Sequence, residues 1–270
     1  MIPLPKLAVH EISSGGGLPI VLLHPFPFDH RAWVPVARAL PSSMRALGVD
    51  LPGQGYSEFG SIPPRVDFAA DAVYESLLRK GVANAIVAGT SMGGYVALAL
   101  AARHPGFVSG LGLVSTKSTP DDAKARARRL RIAAEMEMNS TLKPVLAMPT
   151  QLLGEASLTE RRELLPLLEA WVHSQSPRGL AWALRMMAGR PDTTGVLSEF
   201  ERPIAIVVGD QDRITPCSDA QHMLDAAPNA SITVVAQAGH LVGLEDPRAV
   251  AGALALLHRR VMKRTVDSLG

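Results

Sequence analysis

The chain has 270 residues, 47% of them hydrophobic and 19% charged, which suits a soluble globular protein and excludes a disordered one. Its net charge of +2 gives no global field for nucleic acid or an anionic membrane, and a lone cysteine, Cys217, excludes an internal disulfide framework and a multi-cysteine metal site. The N-terminal MIPLPKLAVHEI lacks a secretory pattern, and no run approaches the ~18 apolar residues of a spanning helix, so the expectation is a cytoplasmic protein away from membranes.

In chain order, LAVHEIS before the turn Gly15-Gly16-Gly17 suits an antiparallel edge strand. Short apolar runs then predict buried strands at residues 19–24, 44–50, 85–89, 111–115, 204–209 and 231–236. Most are apolar almost throughout, as parallel strands covered on both faces are. Helical periodicity at 68–80, 93–103 and 219–227 falls between them, which predicts an α/β fold with a mostly parallel sheet and helices on both faces. The alternation fails over residues 118–200, which are helical in period throughout. They read as a helical insertion into a core made of residues 1–117 and 201–270. Its basic run, Lys124, Arg126, Arg128, Arg129 and Arg131, is interleaved with alanine and lacks aromatic neighbours. It reads as a solvated helix face.

Gly89-Thr90-Ser91-Met92-Gly93 has the form G-x-S-x-G and joins a predicted strand to a predicted helix. A serine at so sharp a turn needs a strained backbone, and only very small residues fit two positions away on either side. The turn lifts the hydroxyl clear of the sheet and sets the Met92 amide at a helix N-terminus, where it can donate to an oxyanion. Gly94 reads as permitting close helix packing. A serine nucleophile also needs a base and an orienting acid. Asp210 and Asp212 follow the strand at 204–209, and His240 follows the strand at 231–236, so both elements emerge at the same sheet edge as Ser91. Of the eight histidines, His240 has the right place and order.

These residues together resemble the α/β-hydrolase superfamily over nearly the whole chain. Asp50-Leu51-Pro52-Gly53-Gln54-Gly55-Tyr56-Ser57 is similar to the D-x-P-G-x-G-x-S loop of its lid-bearing esterase-like branch, and Gly239-His240 with Leu244-Glu245-Asp246-Pro247 to the stretch around its catalytic histidine. The resemblance implies Asp212, in G-x-x-D, as the triad acid, and a helical cap at 118–200. It also implies the Phe26 N–H as the second oxyanion donor beside Met92. The loop here reads His24-Pro25-Phe26-Pro27 where the family usually begins His-Gly; Pro25 leaves the Phe26 N–H intact, and His24 is expected to support the loop.

The expected reaction is cleavage of a small or medium apolar ester, thioester or lactone through an acyl-enzyme on Ser91, His240 and Asp212, without metal or organic cofactor. Alternatives are hydrolysis of a C–C bond in a diketone, cofactor-free haloperoxidase-like chemistry on the same triad, or a ligand-binding sensor with residual turnover. Trp33, Met136, Met148, Trp171, Trp182 and Met186 are the candidate pocket residues, with Met138 and Met187 beside them, and no fixed anion-binding pair is evident. The expected partner is a small-molecule substrate, and the chain a monomer or homodimer.

Overall fold

The computed structural model describes residues 3–267, so the outermost positions of the expected core, 1–2 and 268–270, lie outside the described residues. Seven strands, β1 (Val9–Ser14), β2 (Gly16–Leu23), β3 (Met44–Val49), β4 (Ala85–Thr90), β5 (Val108–Val114), β6 (Ile204–Gly209) and β7 (Ala230–Val235), form one sheet. Their order is β1-β3-β2-β4-β5-β6-β7. β1 pairs antiparallel with β3, and every other pairing is parallel. The order reverses beside β2, where β3 lies on one side and β4 on the other. A crevice opens at the carboxyl ends of strands at such a switch point.

Among the described residues, twelve α-helices complete the fold. Three belong to the first half of the sheet: α1 (Val34–Ala39), α2 (Val66–Arg79) and α3 (Met92–Arg103). Between β5 and β6 come α4 (Ala123–Asn139), α5 (Met148–Leu152), α6 (Glu155–Glu160), α7 (Leu164–His173), α8 (Pro177–Ala188) and α9 (Thr194–Glu199), with no strand among the described residues there. Then follow α10 (Cys217–Ala226), α11 (Val242–Glu245) and α12 (Pro247–Asp267). Among the described residues, no helix is long and apolar enough to cross a membrane.

Alternation along the strands divides the core into two layers. Val21 and Leu23 face a cluster that includes α2, α3 and much of the helical segment, while Ile20 and Leu22 face one built from α1, α11 and α12. β4 and β6 are buried at every position because both layers cover them. β7, at the edge opposite β1, departs from that pattern: Val234 is 52% exposed.

The helical segment is tied to the core at defined points. Trp182 Nε1 donates to the carbonyl of Ile62 at 3.1 Å, and Gln175 Nε2 donates to Asp29 at 2.8 Å. Gln175 Oε1 accepts the Gly55 N–H at 3.0 Å. α8 crosses the loop after β3 where Gly53 and Gly179 meet backbone to backbone, and a side chain on either would overlap the other. α9 differs from its neighbours in packing against the core helices α3 and α10.

Candidate active site

Ser91 stands between β4 and α3 at φ 51° and ψ −113°, a conformation that costs an L-residue on the order of 1–3 kcal/mol and persists only where the surroundings impose it. The surroundings do so on every side. A side chain at Gly89 would collide with the Gly93 backbone, and one at Gly93 with the Leu23 carbonyl. The Ser91 N–H donates to Val114 O at 3.0 Å, and its carbonyl accepts the Gly94 N–H at 2.9 Å and the Thr116 hydroxyl at 2.8 Å. Gly94 leaves room for the Thr116 side chain rather than for a helix. Thr116 has only a weak sequence signal: it is the first residue after the run LGLVS.

His240 and Asp212 come together from the loops after β7 and β6. His240 Nδ1 lies 2.8 Å from Asp212 Oδ2 and 3.1 Å from Oδ1. An ionised carboxylate only accepts, so Nδ1 carries the proton and Nε2 is the nitrogen offered to the cavity that His240 lines. Asp212 also accepts the N–H groups of Ile214 at 2.8 Å and Thr215 at 2.9 Å, and the Thr215 hydroxyl at 2.9 Å. Burial by itself raises the Asp212 carboxyl. The His240 hydrogen bond and charge, with the two backbone N–H groups, outweigh it and hold the carboxyl below its ordinary range. Asp210, the other acid after β6, is exposed.

The His240 loop is fixed from behind by Glu245, whose two oxygens accept the N–H groups of Gly239 at 2.9 Å and Gly154 at 2.8 Å. The His240 N–H itself donates to Leu152 O in α5 at 2.8 Å. Core loop and helical segment thus meet back to back beneath the imidazole.

Phe26 and Met92 stand at the ends of β2 and β4, and neither N–H is taken by a backbone carbonyl among the described residues. Both are buried, and Phe26 lines the cavity. His24 holds this loop. Its Nε2 accepts the Leu51 N–H at 2.9 Å, which leaves the proton on Nδ1 to donate to Pro25 O at 3.1 Å. Complete burial keeps the His24 pKa below its usual value against the opposing charge of Asp50, so the ring stays neutral.

Asp50 organises the next stretch. Its Oδ1 accepts from His30 N at 2.9 Å and Nδ1 at 2.8 Å, and its Oδ2 from His10 Nε2 at 2.9 Å and Tyr56 N at 3.0 Å. The ligand atoms of His10, His30 and Asp50 lie within 4.8 Å of one another, so this is the group among the described residues with metal-ligand proximity. Its geometry is that of an anion serving four N–H donors, with the two imidazoles stacked 3.6 Å apart at 12°. A side chain at Gly55 would strike that carboxylate, and Ser57 Oγ donates to Asp50 O at 2.7 Å; these contacts account for three letters of D-x-P-G-x-G-x-S.

Ser91, His240 and Phe26 share a cavity of about 300 Å³. Its walls are mainly apolar side chains of the helical segment, among them Ile132, Val145, Leu152 and Leu184, with Tyr95 and Ile214 from the core. Of the expected pocket residues, Met148 lines it, as does Met187. The others do not. Trp33 lies in the opposite layer, bonded through Nε1 to Leu23 O at 2.9 Å. Trp171 sits edge-on to Phe28 under Arg31, and Trp182 stacks on Phe59. Met136 and Met186 are packed into the core, and Met138 is exposed. Aromatic and sulfur side chains at helical spacing serve the packing of the segment itself. Lys124, Arg126, Arg128 and Arg131 are exposed, as a solvated face implies, but Arg128 and half-buried Arg129 also line the cavity, which sequence reasoning missed. The available signal was their spacing of three and four residues from Ile132 on one helix face.

Residues 20–253 match the model of the alpha/beta hydrolase family. The chain is 31% identical over 252 residues to a pimeloyl-[acyl-carrier protein] methyl ester esterase of Chromobacterium violaceum, covering 90% of this chain and 95% of that protein. It is 30% identical over 243 residues to the dihydrolipoyllysine-residue acetyltransferase component of the acetoin cleaving system of Pseudomonas putida, spanning 87% of this chain but 62% of that relative. Among solved structures, a malate-bound thermophilic esterase from Thermogutta terrifontis superposes with a TM-score of 0.90 at 30% identity, covering 95% of this chain and 94% of that one.

Proposed function

The chain belongs to the alpha/beta hydrolase family, and from that premise we propose that it is a serine hydrolase cleaving a small or medium carboxylic ester, thioester or lactone through an acyl-enzyme. The observation that carries this reading is the shared cavity. Ser91 at positive φ opens into the same 300 Å³ space as His240, whose far nitrogen is held by buried Asp212. His240 takes the Ser91 proton as Oγ attacks the substrate carbonyl, and Asp212 stabilises the resulting imidazolium. The Phe26 and Met92 amides receive the oxyanion, each contributing about 3 kcal/mol to the transition state. The leaving alcohol takes the proton from His240, and water, activated by the same base, releases the acid. Residues 118–200 act as the cap, supplying most of the cavity walls.

The 31% identical methyl ester esterase and the 30% identical esterase structure favour an ester over the C–C bond or haloperoxidase chemistries. The test is labelling by a fluorophosphonate probe with hydrolysis of short p-nitrophenyl esters. Wild type reacts with both, and Ser91→Ala reacts with neither while keeping its fold. Labelling without turnover of any ester, lactone or diketone would identify a sensor instead.

A further inference from the structure

The cavity wall opposite in character to its apolar lining is made by adjacent residues of α4, Arg128 and Arg129. Their charges are not matched. Arg129 Nε bonds Asp121 at 2.6 Å, but the same buried carboxylate also takes Arg190 Nη2 at 2.9 Å. Arg190 is itself 6% exposed, lies 4.1 Å from the ring centroid of the wall residue Tyr95, and leaves its Nε buried without a partner. The charge of Asp219 acts on both Lys117 and Arg190. Arg128 has no acidic partner among the described residues. Arg128, exposed to solvent, and half-buried Arg129 thus line this wall, with Arg190 behind Tyr95, and Asp121 is bonded by the last two alone.

We propose that the natural substrate of this site carries a carboxylate at the far end of its acyl chain, received by Arg128 with Arg129 beside it. The inference rests on the hydrolase reading above and adds the charge of the substrate. Ile132, Leu184 and Met187 cover the methylene chain, while Ser91 and the oxyanion donors hold the scissile carbonyl. A guanidinium offers the planar donor geometry a carboxylate fits, and an acyl chain lacking the charge leaves that of Arg128 to solvent.

The experiment compares two p-nitrophenyl esters with six-carbon acyl chains, mono-(p-nitrophenyl) adipate and p-nitrophenyl hexanoate. Wild type is expected to favour the adipate by about tenfold in kcat/KM at low ionic strength, chiefly through KM, with the preference shrinking as salt rises. Arg128→Glu reverses the preference, and Arg128→Gln falls between. A wild-type ratio of one or less, or the same ratio in wild type and Arg128→Glu, overturns the proposal. In either case hexanoate turnover shows that the hydrolase reading stands. Hydrolysis of neither ester removes that reading, and this one with it.

Discussion

Thr116 Oγ1 donates to the carbonyl of Ser91 at 2.8 Å from the space that Gly94 leaves open. The Ser91 backbone is therefore held by a side chain from the neighbouring strand end, across a gap one methyl group would close. Gly94→Ala is expected to destabilise the protein by about 1–3 kcal/mol through overpacking, and to lower kcat more than it raises KM. Denaturant titration and steady-state kinetics on one ester measure the two effects; unchanged values for both would remove Gly94 from the architecture of the turn.

Asp212→Asn keeps the shape of the side chain but presents a donor and an acceptor where His240 needs an acceptor alone. Turnover is expected to drop by about 10⁴-fold through the wrong imidazole tautomer, with the fold retained. Asp210→Asn changes an exposed group and is expected to leave kcat within about twofold. Equal losses in the two variants would contradict the assignment of the acid.

Glu245→Ala leaves the N–H groups of Gly239 and Gly154 without their acceptors in a buried junction. The expected cost is about 2–3 kcal/mol of stability, because unsatisfied buried donors lose their full solvation. Hydrogen exchange at residues 152–154 and 239–241 should accelerate together, since one carboxylate ties both loops. Faster exchange in one loop alone would mean that they are held separately.

Acid should unfold this protein partly through Asp50. Burial raises its carboxyl, but the His30 side-chain hydrogen bond and the backbone N–H groups of Tyr56 and His30 hold it far below the ordinary range. A carboxyl depressed in the folded state contributes stability in full above its unfolded value of about 3.9, and that contribution drains away as pH falls below it toward the folded value. Asp50→Asn is expected to cost about 2–3 kcal/mol at pH 7 and to flatten stability between roughly pH 4 and 2. Urea midpoints across pH measure it, and parallel curves for the two proteins would exclude Asp50 as the titrating group.

Much of the fold was legible because parallel strands under two helical layers are apolar at nearly every position, and runs such as AIVAG and IAIVVG announce themselves. The elbow was legible for a different reason: its backbone demands glycine at fixed offsets, and Gly89 and Gly93 stand there. The pocket was not. Trp33, Trp171 and Trp182 carry large apolar surface, but which face of a helix or loop meets a cavity depends on how the segment docks. Here Nε1 of Trp33 and Trp182 found carbonyl partners away from the cavity.

Local chemistry thus determined, from sequence alone, where Ser91, His240 and Asp212 would emerge on the sheet edge, because each depends on a strand end and a few neighbouring residues. Tertiary structure decided what surrounds them. Thr116 and Glu245 act through hydrogen bonds across 25 and 91 residues of chain, and Arg128 reaches the cavity only because α4 lies over it. A charge on a helix reads as solvated until packing shows what it faces, since periodicity defines faces but not their partners.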